Sequence, residues 1–222
     1  YPSRIMRFSG VGEGSYSFEF SQDGVLWEAA GEYKQDYVSV LKWNELYPSA
    51  TCVPRYVKIS GTGPVYLGEA AFIDGDGKLI PAIGAGAAQL ITDEQDCVPE
   101  KQTFLNSSYF DEIYHARTAW ENLNGVYPYE ISHPPLGKLI IALGVSIFGM
   151  SPFGWRFMGT LFGVLMQPVM YIFVKKLFGG RSVPTACTAV FACDFMHFVQ
   201  TRIATIDTYG VIFIMLMYLF MY

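Results

Sequence analysis

Two adjacent carboxylates, Asp111 and Glu112, open the run Phe110-Asp111-Glu112-Ile113-Tyr114-His115-Ala116-Arg117, and His133-Pro134-Pro135-Leu136-Gly137-Lys138 follows downstream. Paired acids suit proton transfer, because one can accept a proton while its neighbour orients the exchange. Membrane-grade apolar sequence begins soon after. Ionisable groups beside a bilayer are costly as packing, so their clustering at such a boundary points to chemistry.

The elements that must position these groups fall into two halves. Of 222 residues 51% are hydrophobic, and the apolar residues concentrate toward the C-terminal end while the N-terminal half is polar. A net charge of -5 without a basic run excludes the cationic face that a nucleic-acid partner needs. The chain starts at Tyr1, without methionine or signal peptide, and ends at Tyr222 inside an apolar run, so it is expected to be a piece cut at both ends. Four cysteines lack C-x-x-C spacing and indicate no metal site; a Cys52-Cys97 disulfide requires an extracellular location.

In the apolar half, residues 154–174 carry Arg156 as their one formal charge and are long enough to span a membrane. Lys175, Lys176 and Arg181 follow in a short loop, which the positive-inside bias assigns to the cytoplasm. Further spans are expected at 182–199 and 208–222, the last one truncated, which leaves Arg156, Arg202 and Asp207 on the outer side. Residues 136–148, carrying Lys138, are short for a span and fit an interfacial helix that starts at Pro134-Pro135. With that choice Asp111, Glu112, His115, Arg117 and His133 share the outer face. Asp194 and His197, three apart within the second span, fit a structural pair better than a proton relay.

The polar half predicts a β-sandwich. Ser15-Tyr16-Ser17-Phe18-Glu19-Phe20-Ser21 alternates with period two and puts Tyr16, Phe18 and Phe20 on one face. Further strands are expected at 38–43, 55–59 and 66–73, the last leading through Asp74-Gly75-Asp76-Gly77 into Lys78-Leu79-Ile80, with Trp27 and Trp43 in the core. Ser21-Gln22-Asp23-Gly24-Val25-Leu26-Trp27, Pro54-Arg55-Tyr56-Val57-Lys58-Ile59 and Leu67-Gly68-Glu69-Ala70 together resemble the discoidin-like, galactose-binding-type jelly rolls. That resemblance covers roughly residues 4–80 and implies a truncated antiparallel jelly roll over 1–81 whose first strands lie upstream. A packing or docking module is favoured over glycan binding as its role. Residues 82–107 read as a connector of small residues with few anchors.

Cations that hold a phosphate at headgroup level, next to a carboxylate that deprotonates an acceptor hydroxyl, are what transfer from a lipid-linked sugar phosphate requires. Asp111-Glu112, Ala116, Ala119-Trp120, His133-Pro134-Pro135-Leu136-Gly137-Lys138, Trp155-Arg156-Phe157, Arg202 and Asp207 in this order resemble the protein O-mannosyltransferases, integral-membrane enzymes of the C-type glycosyltransferase superfamily. The resemblance covers about residues 108–222. It implies a multidomain chain: the β-sandwich, the connector, an external loop with interfacial helices and the acid pair over 108–150, and three transmembrane helices over 151–222. It further implies an inverting transferase that takes mannose or another hexose from a polyprenyl-phosphate donor to serine or threonine of exported proteins, at a prokaryotic plasma membrane with the acid pair outside.

Carried over by position, Asp111 matches the catalytic base and Glu112 its partner, while Arg156, Lys138 and Arg202 would bind donor phosphate, with His133 and Asp207 in support. The donor is the one cofactor-like molecule expected, and a divalent metal stays open. Expected partners are the lipid-linked sugar, the acceptor protein, membrane lipid and, for the β domain, a glycan. The competing readings are a relative acting on a lipid or cell-wall polymer, and a non-catalytic membrane-anchored glycan binder.

Overall fold

The computed structural model describes residues 1–62 and 66–222. These divide into two compact units, Tyr1–Ser108 and Tyr109–Tyr222.

Seven antiparallel strands build the first unit: β1 (Arg4–Ser9), β2 (Gly14–Ser21), β3 (Glu28–Gln35), β4 (Trp43–Leu46), β5 (Tyr56–Gly61), β6 (Leu67–Ile73) and β7 (Leu79–Ile80). They form sheets of order β4-β1-β6-β7 and β3-β2-β5. The alternation in β2 works as expected, burying Tyr16, Phe18 and Phe20 against Ile5 and Phe72 of the other sheet. The core therefore lies between two sheets. The turn before β7 is fixed by Asp74, whose carboxylate accepts from the Asp76 and Lys78 amides, and by Gly77 at φ +81°.

Three expectations fail here for local reasons. The strand predicted over 38–43 is replaced by a single helical turn, Tyr37–Ser39, because the Asp36 carboxylate accepts from the Val38 and Ser39 amides and offers the backbone an alternative to the ladder. Trp43 is core, but Trp27 is 37% exposed at the end of a loop in which Asp23 ties the Val25 and Leu26 amides, and the Lys58 ammonium lies 5.6 Å from its ring centroid. The stretch read as a loose connector is anchored: Gln95 donates to the Ala70 carbonyl, the Ser107 hydroxyl accepts from the Trp43 amide, and the Ser108 hydroxyl donates to the Val40 carbonyl. All four cysteines are free thiols, Cys52 and Cys97 included.

The second unit is helical: α1 (Glu112–Leu123), α2 (Pro135–Phe148), α3 (Pro152–Phe178), α4 (Ser182–Ala192), α5 (Phe195–Gln200) and α6 (Asp207–Met221). At 1.5 Å per residue α3 is about 40 Å long, more than a ~30 Å hydrocarbon core requires. Among the described residues it is the helix long and apolar enough to cross a membrane. By the same rise α2 is only about 21 Å long. Its buried side carries Ile141 and Val145, while Leu139, Leu143 and Ile147 stay exposed. The single helix expected over 182–199 is instead two pieces. Asp194 breaks it by accepting, through its carboxylate, the backbone N–H of His197 and so capping α5 at its own start.

Helix α3 organises this unit, packing against α2, α4 and α6. Its Gly159 and Gly163 are spaced one turn apart and let the backbone after α5 approach closely, which the hydrogen bond from the Thr160 hydroxyl to the Thr201 carbonyl holds at 3.0 Å. A Cβ at position 163 would stand 2.5 Å from the Thr201 side chain. Gly163→Ala is therefore expected to lower stability by about 1–3 kcal/mol through overpacking. Thermal unfolding in detergent should show the loss, and Thr201→Gly in the same chain should recover part of it.

Candidate active site

The acid pair sits where a tight turn enters α1. Phe110 adopts φ +51°, a left-handed conformation that costs a non-glycine residue about 1 kcal/mol and that tends to persist where surrounding bonds over-determine it. Those bonds come from Glu112. Its carboxylate accepts from the Tyr109 amide at 2.7 Å, while its own amide donates to the Tyr109 carbonyl at 3.1 Å, so the two residues close the turn reciprocally.

Glu112 is also the point where three distant segments meet. Arg156, from the first turns of α3, donates Nε to Oε1 at 2.6 Å and Nη2 to Oε2 at 2.5 Å, a bidentate fork. The Ala204 amide, in the loop before α6, donates to Oε1 at 2.9 Å. Glu112 is 0% exposed, and four bonds fill the roughly four lone-pair directions that a carboxylate offers. It has no acceptor capacity left for a substrate proton.

Asp111 is the opposite case. It precedes the first residue of α1 without capping it, and its carboxylate makes no hydrogen bond or ion pair among the described residues. One turn on, His115 is buried with Nδ1 unpartnered. Burial pulls the His115 imidazole below its ordinary value, against the upward pull of Asp111 and Glu130.

The expected phosphate-binding cations behave differently from one another. Arg156 turns its fork to Glu112. Lys138 is 2% exposed, and its ammonium is ion-paired with the Glu130 carboxylate and donates to the carbonyls of Glu130 at 2.7 Å and His133 at 3.2 Å. It braces the loop before α2 from within. Arg202 is exposed, with its guanidinium 3.6 Å from the Phe198 ring centroid, and lies two residues before the Ala204 amide that Glu112 holds. Asp207 is exposed in the first turn of α6. His133 is half-exposed, its Nδ1 3.1 Å from Glu130.

Two acids that drew no attention in the sequence turn out to be structural centres. Glu121 pairs with Arg117 at 2.9 Å and accepts the Tyr129 amide at 2.7 Å. Glu130 accepts the amides of Ser132 and His133 in addition to Lys138. Burial works to raise the Glu130 carboxyl, but the bonds from Lys138, Ser132 and His133 outweigh it and hold it well below the usual carboxylate range. The spacing of Glu130 three residues before His133 was the one signal available. Among the described residues no group of three or more His, Cys, Asp or Glu side chains is placed to hold a metal ion.

The helical unit thus combines a buried Glu112–Arg156 lock with a neighbouring Asp111 carboxylate that has no partner among the described residues. Residues 132–222 match the family model described as dolichyl-phosphate-mannose-protein mannosyltransferase.

Relatives include the polyprenol-phosphate-mannose–protein mannosyltransferase of Mycobacterium tuberculosis, 35% identical over 118 residues, which are 50% of this chain and 23% of that protein. The enzyme of the same description from Mycolicibacterium smegmatis is 31% identical over 117 residues, 50% of this chain and 23% of its own length. That of Corynebacterium glutamicum is 29% identical over 124 residues, 50% of this chain and 24% of its own length. The chain thus spans about a quarter of the length of these relatives. No solved structure matches it significantly.

Proposed function

We propose that the full-length protein is an inverting glycosyltransferase that moves mannose from a polyprenyl phosphate to serine or threonine hydroxyls of exported proteins. The observation that carries this reading is the unpartnered Asp111 carboxylate beside the saturated Glu112–Arg156 lock, in a chain whose residues 132–222 match the mannosyltransferase family model. In this reaction Asp111 takes the proton of the acceptor hydroxyl as its oxygen attacks C1 of the sugar. The C1–O bond breaks on the opposite side, and its electron pair leaves with the polyprenyl phosphate. Arg202, exposed near the Glu112-bound amide, is the cation assigned to the departing phosphate.

The names of the relatives support both the donor and the protein acceptor. Lys175 and Lys176 at the end of α3 support placing that end in the cytoplasm and the acid pair outside, with a prokaryotic plasma membrane as the setting. We further read the β unit as a discoidin-like sandwich, on its two sheets and shared core.

The test is transfer of labelled mannose from polyprenyl-phosphate mannose by the full-length protein in membranes, with mass spectrometry of the acceptor. Label on protein hydroxyls, with inverted anomeric configuration, is expected. Label confined to lipid or cell-wall polymer would replace the acceptor assigned here.

A further inference from the structure

The Lys138 ammonium is engaged by Glu130 and by two carbonyls. His133 lies in the loop just before α2, and four of the contacts around it have one origin. Glu130 accepts from the His133 amide at 3.2 Å and meets its Nδ1 at 3.1 Å, while it also holds the Ser132 amide at 2.7 Å and the Lys138 ammonium. The Ser132 hydroxyl also lies 3.2 Å from Nδ1; with the Glu130 carboxylate as acceptor the Nδ1 proton points to it, which orients the ring and leaves Nε2 for a ligand. The His133 side chain is 54% exposed, whereas that of Glu130 is 12% exposed. The carboxylate is the inner member and the imidazole the outer one.

The surroundings of this pair belong to the proposed site. The His133 ring meets the edge of the buried His115 ring at 5.8 Å between centroids, and His115 follows Asp111 by one turn of α1. Helix α2 starts two residues after His133, with no side chain capping its first-turn amides. Gly137 in that turn is so close to the start of α6 that a Cβ there would stand 2.8 Å from the Ile206 side chain. The loop that carries Arg202 and the Glu112-bound Ala204 amide therefore adjoins the one that carries His133. Charges agree as well. Glu130 and Lys138 neutralise each other; with Nδ1–H given to Glu130, Nε2 carries a proton only in the imidazolium, so the ring meets a phosphate as a cationic donor near the open start of α2.

We propose that His133, held through Nδ1 by Glu130, presents Nε2 to the phosphate of the lipid-linked donor, and that Glu130 is its positioning residue. This rests on the transferase reading above. The hydrogen bond is made in the bound donor and persists as the C1–O pair passes to the phosphate; no covalent change occurs at His133.

Equilibrium binding of polyprenyl phosphate, without sugar, to the full-length protein in detergent tests this, beside mannose transfer in the same preparations. Loss of one hydrogen bond to a charged group predicts binding about tenfold or more weaker in His133→Ala. His133→Gln, which keeps a donor, is expected to stay within about threefold of the parent protein. Glu130→Gln should weaken binding when His133 is present and have no further effect in the His133→Ala background.

Because Glu130→Gln strips the counter-ion from Lys138, the exposed His133 variants decide the phosphate contact if it fails to fold. Unchanged binding in His133→Ala overturns the proposal while transfer by the parent protein upholds the transferase reading. Equal weakening by Glu130→Gln in both backgrounds makes Glu130 a structural residue and overturns its positioning role. A parent protein that neither binds polyprenyl phosphate nor transfers mannose overturns both readings.

Discussion

Asp111→Asn in the full-length protein is expected to lower mannose transfer by about 10²–10⁴-fold, the range that a positioned general base contributes. The substitution is close to isosteric. Asp111 makes no side-chain bond at the start of α1, and asparagine is well tolerated at that position, so folding and expression should not change. Donor binding should also persist, since the carboxylate acts on the acceptor and not on the phosphate. Initial rates with labelled donor, normalised to protein in the membrane, give the measurement. Retained transfer at normal expression would place the base elsewhere. The saturated carboxylate of Glu112 would not be the substitute, because its lone pairs are already committed to Arg156, Ala204 and Tyr109.

The second large effect concerns that commitment. Arg156→Met removes the counter-ion of a carboxylate that is 0% exposed and is expected to destabilise the helical unit by about 3–5 kcal/mol, the usual result of stranding one member of a buried pair. Activity should fall with it, since the loop carrying Ala204 loses its shared anchor. Adding Glu112→Gln to Arg156→Met removes the stranded charge and should restore a good part of the stability without restoring transfer. Thermal unfolding of the two variants in detergent checks the sign of the coupling. If the double variant were as unstable as the single one, the lock would not be electrostatic in origin.

This contrast between the two acids also shows how far the sequence could be read. The pair was recognisable as chemistry from its types and its place before apolar sequence, and the order of motifs after it carried the resemblance to the O-mannosyltransferases that the family match over 132–222 supports. Adjacent positions in the chain cannot reveal which acid is free, because Glu112 is filled by groups from residues 109, 156 and 204. Lys138 depends on the fold in the same way. A lysine at the start of a short apolar helix looks ready to meet a headgroup, but Glu130 and two carbonyls fold over it.

Periodicity found strands where one face is clean, as in β2, and missed β1 and β3. Strand β1 has Ile5, Met6 and Arg7 all buried, and β3 mixes glycine, alanine and charges, so neither shows alternation. The break at Asp194 likewise follows from one side chain capping a new turn, which an apolar window averages away.

By itself the sequence determined the division into polar and apolar halves, the helix that is able to span a membrane, the acid pair and the resemblance to the O-mannosyltransferases. These are properties of composition, period and motif order, all carried along one chain. Only the tertiary structure decided that Asp111 is open while Glu112 is locked, that Arg156 and Lys138 pair with internal carboxylates, and that Glu130 lies against His133. The reason is that a carboxylate's function depends on which donors occupy its few lone pairs, and those donors arrive from segments that only folding brings together.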